Sequence, residues 1–339
     1  PKEMSLDFSN IFFQLFQLSH EQDQFVLESL GMLKEFAVAV PENGQNALAG
    51  VCESIVRRFG QFEDYENSLQ EAYVNTLSSI LTLPQPPIPI PQLLVSLLQY
   101  SLKSEELSNL LFTPIEIIVT SHFDAVSKFS KDIIATSITC ASRLYENGTM
   151  IANLDIRYFC YIASEVINRQ KRGVNELIES IGDLNEGGVA AVALTLLYVD
   201  DPIRSERLLE FLKYITDLEP VFFHEIAAMI IASIEEPIDP FYFPIIFTNI
   251  QCGNMEVVYE CLVALEHLLW EMNVQTDIAK AVFQLLHALM SKRLELKFQK
   301  QIMEVITSLI YSTKGEICKI VPTLPQFLLG QVTQKGVVF

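Results

Sequence analysis

Apolar residues recur every three to four positions along nearly every segment of this chain, and that period restricts its regular structure to helices. Ile278, Ala281, Val282, Leu285, Leu286 and Leu289 follow the i, i+3, i+4, i+7, i+8, i+11 spacing of one helix face, with Lys280, Gln284, His287 and Ser291 opposite. The stretch after it repeats the pattern in Phe298, Ile302, Val305, Ile306 and Leu309. The stretch before it does so in Val257, Val258, Cys261, Leu262, Leu265, Leu268 and Leu269. No run of strict alternation competes, so the chain reads as all-α.

The breaks are regular too. Acid–proline pairs stand at Asp201-Pro202, Glu219-Pro220 and Asp239-Pro240, spaced about 18 and 20 residues apart, and an acid before a first-turn proline marks a helix start. Ser19 and Gln22 have the form of a capping box. Further breaks are read at 41–44, 146–148, Gly187-Gly188, 252–254, 273–277 and 313–315. The run Pro84-Gln85-Pro86-Pro87-Ile88-Pro89-Ile90-Pro91 is read as an extended connector, 84–91. These breaks predict about sixteen helices in about eight antiparallel pairs of about 40 residues each. The pairs fall at roughly 6–39, 45–83, 91–121, 124–170, 174–199, 201–234, 240–272 and 276–312.

On that periodicity and break spacing the chain resembles HEAT/armadillo-type α-solenoids over essentially its whole length. The resemblance implies a right-handed α-solenoid, one extended helical-repeat domain over 1–339. It also accounts for a chain that is 50% hydrophobic and only 19% charged, because a stacked helix buries much of its circumference. The longest uncharged apolar run, Gly187 to Val199, is too short for a bilayer, which takes about 20 residues. Met4 to Leu18 contains Asp7 and lacks a basic start, so it does not read as a signal peptide. The expectation is a soluble chain without a membrane span. It begins Pro1-Lys2-Glu3, as a fragment or processed form does. Six cysteines, Cys52, Cys140, Cys160, Cys252, Cys261 and Cys318, show no CxxC spacing and sit mostly in apolar runs. They point to a reducing compartment, cytoplasmic or nuclear, where the sequon at Asn147 is only a loop.

The search for chemistry returns little. No phosphate-cradling GxxxxGK[ST] or GxGxxG occurs. Phe223-His224-Glu225 opens like a zinc-protease helix, but Ala228 stands where the second histidine belongs. Asp200-Asp201 opens like a diphosphate-binding DDxxD motif, but Arg204 stands where its last acid belongs. His20, His122, His224, His267 and His287 are dispersed. The chain is therefore read as non-enzymatic and without a cofactor or metal.

A binding face is better marked. On a wheel of the helix around 255–272, with Val257 at zero, the main apolar stripe covers about 0–140°. Trp270, the one tryptophan, falls near 220°, between Tyr259 near 200° and Val263 near 240°, flanked by Glu256, Glu266 and His267. Trp and Tyr dominate interface hot spots, so these six residues are the candidate partner-binding set, against the alternative that this second stripe packs on the adjacent repeat.

Charge adds a second candidate. The chain carries a net −19, which argues against direct nucleic-acid binding, yet from Lys292 onward the balance is +4. Lys292, Arg293, Lys297 and Lys300 form a basic patch that either docks an acidic group or simply follows a helix end. Acidic clusters elsewhere suit a basic partner segment. The reading is thus a protein-interaction scaffold holding an extended or helical, basic segment along a groove. Its acidity and HEAT-like pairs are similar to nuclear transport receptors of the importin-β/exportin kind. An all-α enzyme is the competing class.

Overall fold

The computed structural model describes residues 28, 30–32, 67–86, 88–146, 154–171, 174, 177, 184–200, 204–216, 221–234, 239–292 and 294–326. Every regular element among them is helical. The chain divides into two compact units, 1–149 with 154–199, and 150–153 with 200–339.

The first unit contains α1 (Asn67–Leu81), α2 (Ile90–Ser101), α3 (Glu105–Ser121), the short α4 (Phe123–Val126), a 3₁₀ turn (Ser127–Phe129), α5 (Ser130–Glu146), α6 (Leu154–Gln170) and α7 (Glu186–Leu197). The second contains α8 (Arg204–Ile215), α9 (Val221–Ser233), α10 (Tyr242–Ile250), α11 (Met255–Glu271), α12 (Thr276–Met290), α13 (Leu296–Ser312) and α14 (Ile317–Ile320). The predicted pairs 91–121, 124–170, 201–234, 240–272 and 276–312 each hold two principal helices that pack together. The pair 6–39 lies outside the described residues except for 28 and 30–32, and 45–83 is described from Asn67 onward.

Each unit has a layer in which alternate helices touch. α3 packs on α1 and on α6; α11 packs on α9 and on α13. Side chains tie these layers at the helix ends, where the last carbonyls lack intrahelical donors. His122 Nε2 lies 2.7 Å from the Leu81 carbonyl at the end of α1. Arg169 Nη2 donates to the Thr120 carbonyl in α3 at 2.9 Å, and His267 Nε2 lies 2.7 Å from the Ile234 carbonyl beyond α9. Two of the dispersed histidines, His122 and His267, thus hold helix ends, while His224 bridges α9 to α10, its Nδ1 2.9 Å from the Asn249 side-chain oxygen.

Several local readings are refined. Gly187-Gly188 is no break: α7 starts at Glu186, capped by Asn185, whose oxygen accepts from the Gly188 N–H at 2.8 Å. A Cβ on Gly187 would stand 2.6 Å from the Ser142 carbonyl oxygen of α5, so the glycine permits close approach. α7 is buried on all sides from Gly187 to Leu196 and packs on both α5 and α6. The proline connector ends earlier than 91, because Pro91 sits in the first turn of α2, where its missing N–H costs nothing. In α12 the buried face is Ala279, Val282, Phe283, Leu286 and Leu289, turned toward Phe283, while Ile278, Ala281 and Leu285 are half-buried. At Asp239-Pro240 the carboxylate accepts from the Phe241 N–H at 2.8 Å just before α10. Pro202, Pro220, Ser19 and Asn147 lie outside the described residues.

Among the described residues, no single helix is long and apolar enough to cross a membrane. Cys140, Cys160 and Cys261 are buried free thiols, whereas Cys252 and Cys318 are exposed. Burial pushes the Cys160 thiol up to about 12 and raises Cys261 and Cys140 as well. Iodoacetamide on the native protein is therefore expected to label Cys252 and Cys318 and to reach the other three only after unfolding, since the thiolate is the attacking species. Peptide mapping by mass spectrometry checks this; modification of Cys160 at the rate of Cys318 would contradict the burial.

Candidate partner-binding surface

The predicted core stripe of α11 is the observed one: Val257, Val258, Cys261, Leu262, Leu265, Leu268 and Leu269 are all buried. The off-stripe residues then lie along the seam with α13. Tyr259 meets Phe298 edge-on at 5.6 Å between centroids, and Trp270 meets Tyr311 at 4.6 Å. Both pairs ascend together, so α11 and α13 run parallel. Between them, Gln301 Nε2 donates to Glu266 Oε2 at 2.6 Å.

The seam has two ends of different character. At the start of α13, Lys297 lies 5.5 Å from the Tyr259 centroid and 5.0 Å from that of Phe298, and pairs with Glu256 at 3.6 Å. Tyr259 is half-buried beneath it, so this end is packing between neighbouring helices. At the other end Trp270 is 45% exposed and Tyr311 62% exposed. These two rings form an open aromatic ledge. One turn before Trp270, Glu266 is bonded, among the described residues, only to the neutral amide of Gln301, and the exposed Glu271 makes no ion pair among them.

The candidate residues therefore separate. Trp270 and Glu266 belong to the ledge and Val263 lies half-buried along the seam. Tyr259 and Glu256 belong to the packed end, and His267 turns to Ile234 instead. Tyr311 was not singled out from the sequence. It lies 220° round the wheel from Phe298, off the α13 core stripe, just as Trp270 lies off that of α11.

The basic patch disperses. Lys297 is committed to Glu256, Lys300 pairs with Glu304 at 3.6 Å, and Lys292 is exposed in the turn after α12. Arg293 lies outside the described residues. Among those residues no group of three or more His, Cys, Asp or Glu could hold a metal ion. A cavity of about 500 Å³ opens between α8 and the start of α10, lined mainly by Leu209, Leu212, Pro240, Phe241 and Ile245, with Lys213 and Asp239 also on its wall.

No family model and no curated protein matches the chain. Among solved structures, one engineered protein is similar at 14% identity and a TM-score of 0.39, over 94% of this chain and 84% of its own. A second engineered protein is similar at 11% identity and a TM-score of 0.30, over 90% of this chain and 97% of its own. The class that the described residues define is all-helical.

Proposed function

We propose that this protein is a non-catalytic helical-repeat scaffold of the α-solenoid kind that holds a basic segment of a partner protein. Packing of alternate helices within each unit supports the repeat reading, as stacked helix pairs are the unit of such arrays. The observation that carries the binding reading is the exposed Trp270–Tyr311 pair beside Glu266 and Glu271. An arginine or lysine laid on those rings gains a cation–π contact and faces carboxylates that make no ion pair among the described residues.

The single tryptophan makes the test direct. Acrylamide is expected to quench Trp270 in the free protein, and a saturating arginine-rich decapeptide to reduce that quenching at least twofold; a glutamate-rich decapeptide should not. Saturable binding of the basic peptide that leaves quenching unchanged would move the site away from the ledge. Absence of saturable binding by either peptide would overturn the function.

A further inference from the structure

The first unit carries a second face of related chemistry, on residues unconnected with α11 and α13. Phe112 of α3 stacks on Tyr158 of α6 at 4.6 Å with an interplanar angle of 22°. Arg169 of α6 reaches the Thr120 carbonyl further along α3, so these two helices also run parallel. Tyr158 is 40% exposed and Tyr161 38% exposed. Standing three positions apart, they are neighbours on one helix face. Tyr161 meets Tyr198 edge-on at 6.5 Å between centroids.

Between the two α3–α6 contacts, and one turn beyond Phe112, lies Glu116. The register sets it level with the middle of α6. Its side chain is half-buried and, among the described residues, has neither hydrogen bond nor ion pair. Arg169, the cation at the far α3–α6 contact, is already committed: it pairs with Glu165 at 2.6 Å through Nε and donates to Thr120 through Nη2. Arg157, next to Tyr158, is not free either. Burial alone raises the Glu116 pKa. A partly desolvated carboxylate without a cation is costly, and a cation brought from outside removes that cost.

We propose that the α3–α6 face is a second docking surface, where an arginine or lysine side chain of a partner's extended basic segment lies over Tyr158 and Tyr161 and pairs with Glu116. The inference rests on the proposed reading of the chain as a binder of basic segments, but on none of the ledge residues.

The test is fluorescence anisotropy of a labelled nona-arginine peptide against the full chain carrying Trp270→Ala/Tyr311→Ala, which removes the ledge. In that background Glu116→Gln is expected to weaken the remaining binding at least tenfold. Asp277→Asn, the same charge change at an exposed position of α12, should alter it less than twofold. Tyr158→Leu and Tyr161→Leu, each verified as folded by circular dichroism, should also weaken it, although neither changes a charge. Acidification supplies a separate readout: binding needs the Glu116 carboxylate, so it should fall as pH drops through that group's raised pKa. Glu116→Gln should lose this dependence. Equal effects of Glu116→Gln and Asp277→Asn would mean unspecific attraction to an acidic protein and overturn the proposal. So would undiminished binding by both leucine variants, or complete loss of binding with the ledge. Undiminished binding without the ledge, lost on Glu116→Gln, would overturn the ledge and leave this face standing.

Discussion

Alanine at both Trp270 and Tyr311 is expected to lower the affinity for an arginine-rich segment about 30-fold, the effect of losing one aromatic hot spot of about 2 kcal/mol. The two rings share one contact, so their losses overlap rather than add. The fold should survive, because 45% of Trp270 and 62% of Tyr311 already face water. Tyr259→Ala is expected to behave differently. It uncovers Phe298 and the stem of Lys297, and so lowers stability more than it lowers affinity. Titration calorimetry with thermal melts separates the two outcomes. A double variant that binds as tightly as wild type would remove the ledge from the mechanism.

Valine at Gly187 is expected to destabilise the first unit by about 3 kcal/mol, the upper end of overpacking effects. The obstacle is the backbone carbonyl of Ser142 at 2.6 Å, which cannot swing aside as a side chain would. Either α7 backs away from α5, opening space beside a helix buried all round, or the last turn of α5 distorts. The Ser142 hydroxyl, at 3.0 Å from the same point, is a lesser obstacle, so Ser142→Gly should not rescue the variant. Gly31→Ala, where no atom lies within 4 Å, should not destabilise. Urea unfolding followed by circular dichroism reads all three. A Gly187→Val protein as stable as wild type, or one rescued by Ser142→Gly, would show that the helices have room to spare.

Helix positions were legible because each break is a local chemical event. Asn254 accepts from the N–H groups of Glu256 and Val257, and Gly253 and Gly315 take φ of 77° and 79°, all within a few residues of a helix end. Gly187-Gly188 misled for the opposite reason. Glycine is also selected by what lies across the gap, and Ser142 is 45 positions away in the chain. The α12 stripe shifted because Phe283 was left out of a face drawn through Leu285. At the ledge, Trp270 announced itself by standing off its stripe, and the same arithmetic on α13 finds Tyr311. Glu116 could not be found this way. Its significance lies in the commitment of Arg169 to Glu165 and Thr120, a fact of tertiary pairing that no helical wheel contains.

The parallel course of α11 and α13 has an electrostatic consequence. Antiparallel neighbours cancel their peptide dipoles end against end, whereas parallel neighbours place like poles side by side. Each helix carries about half a negative charge at its C-terminus, so the two together set close to one full negative charge along a single edge. Trp270 stands next to the last residue of α11, and Tyr311 next to the last of α13. The aromatic ledge therefore lies in the negative field of two backbones, and its attraction for a cation would persist in part even with Glu266 and Glu271 both replaced by glutamine.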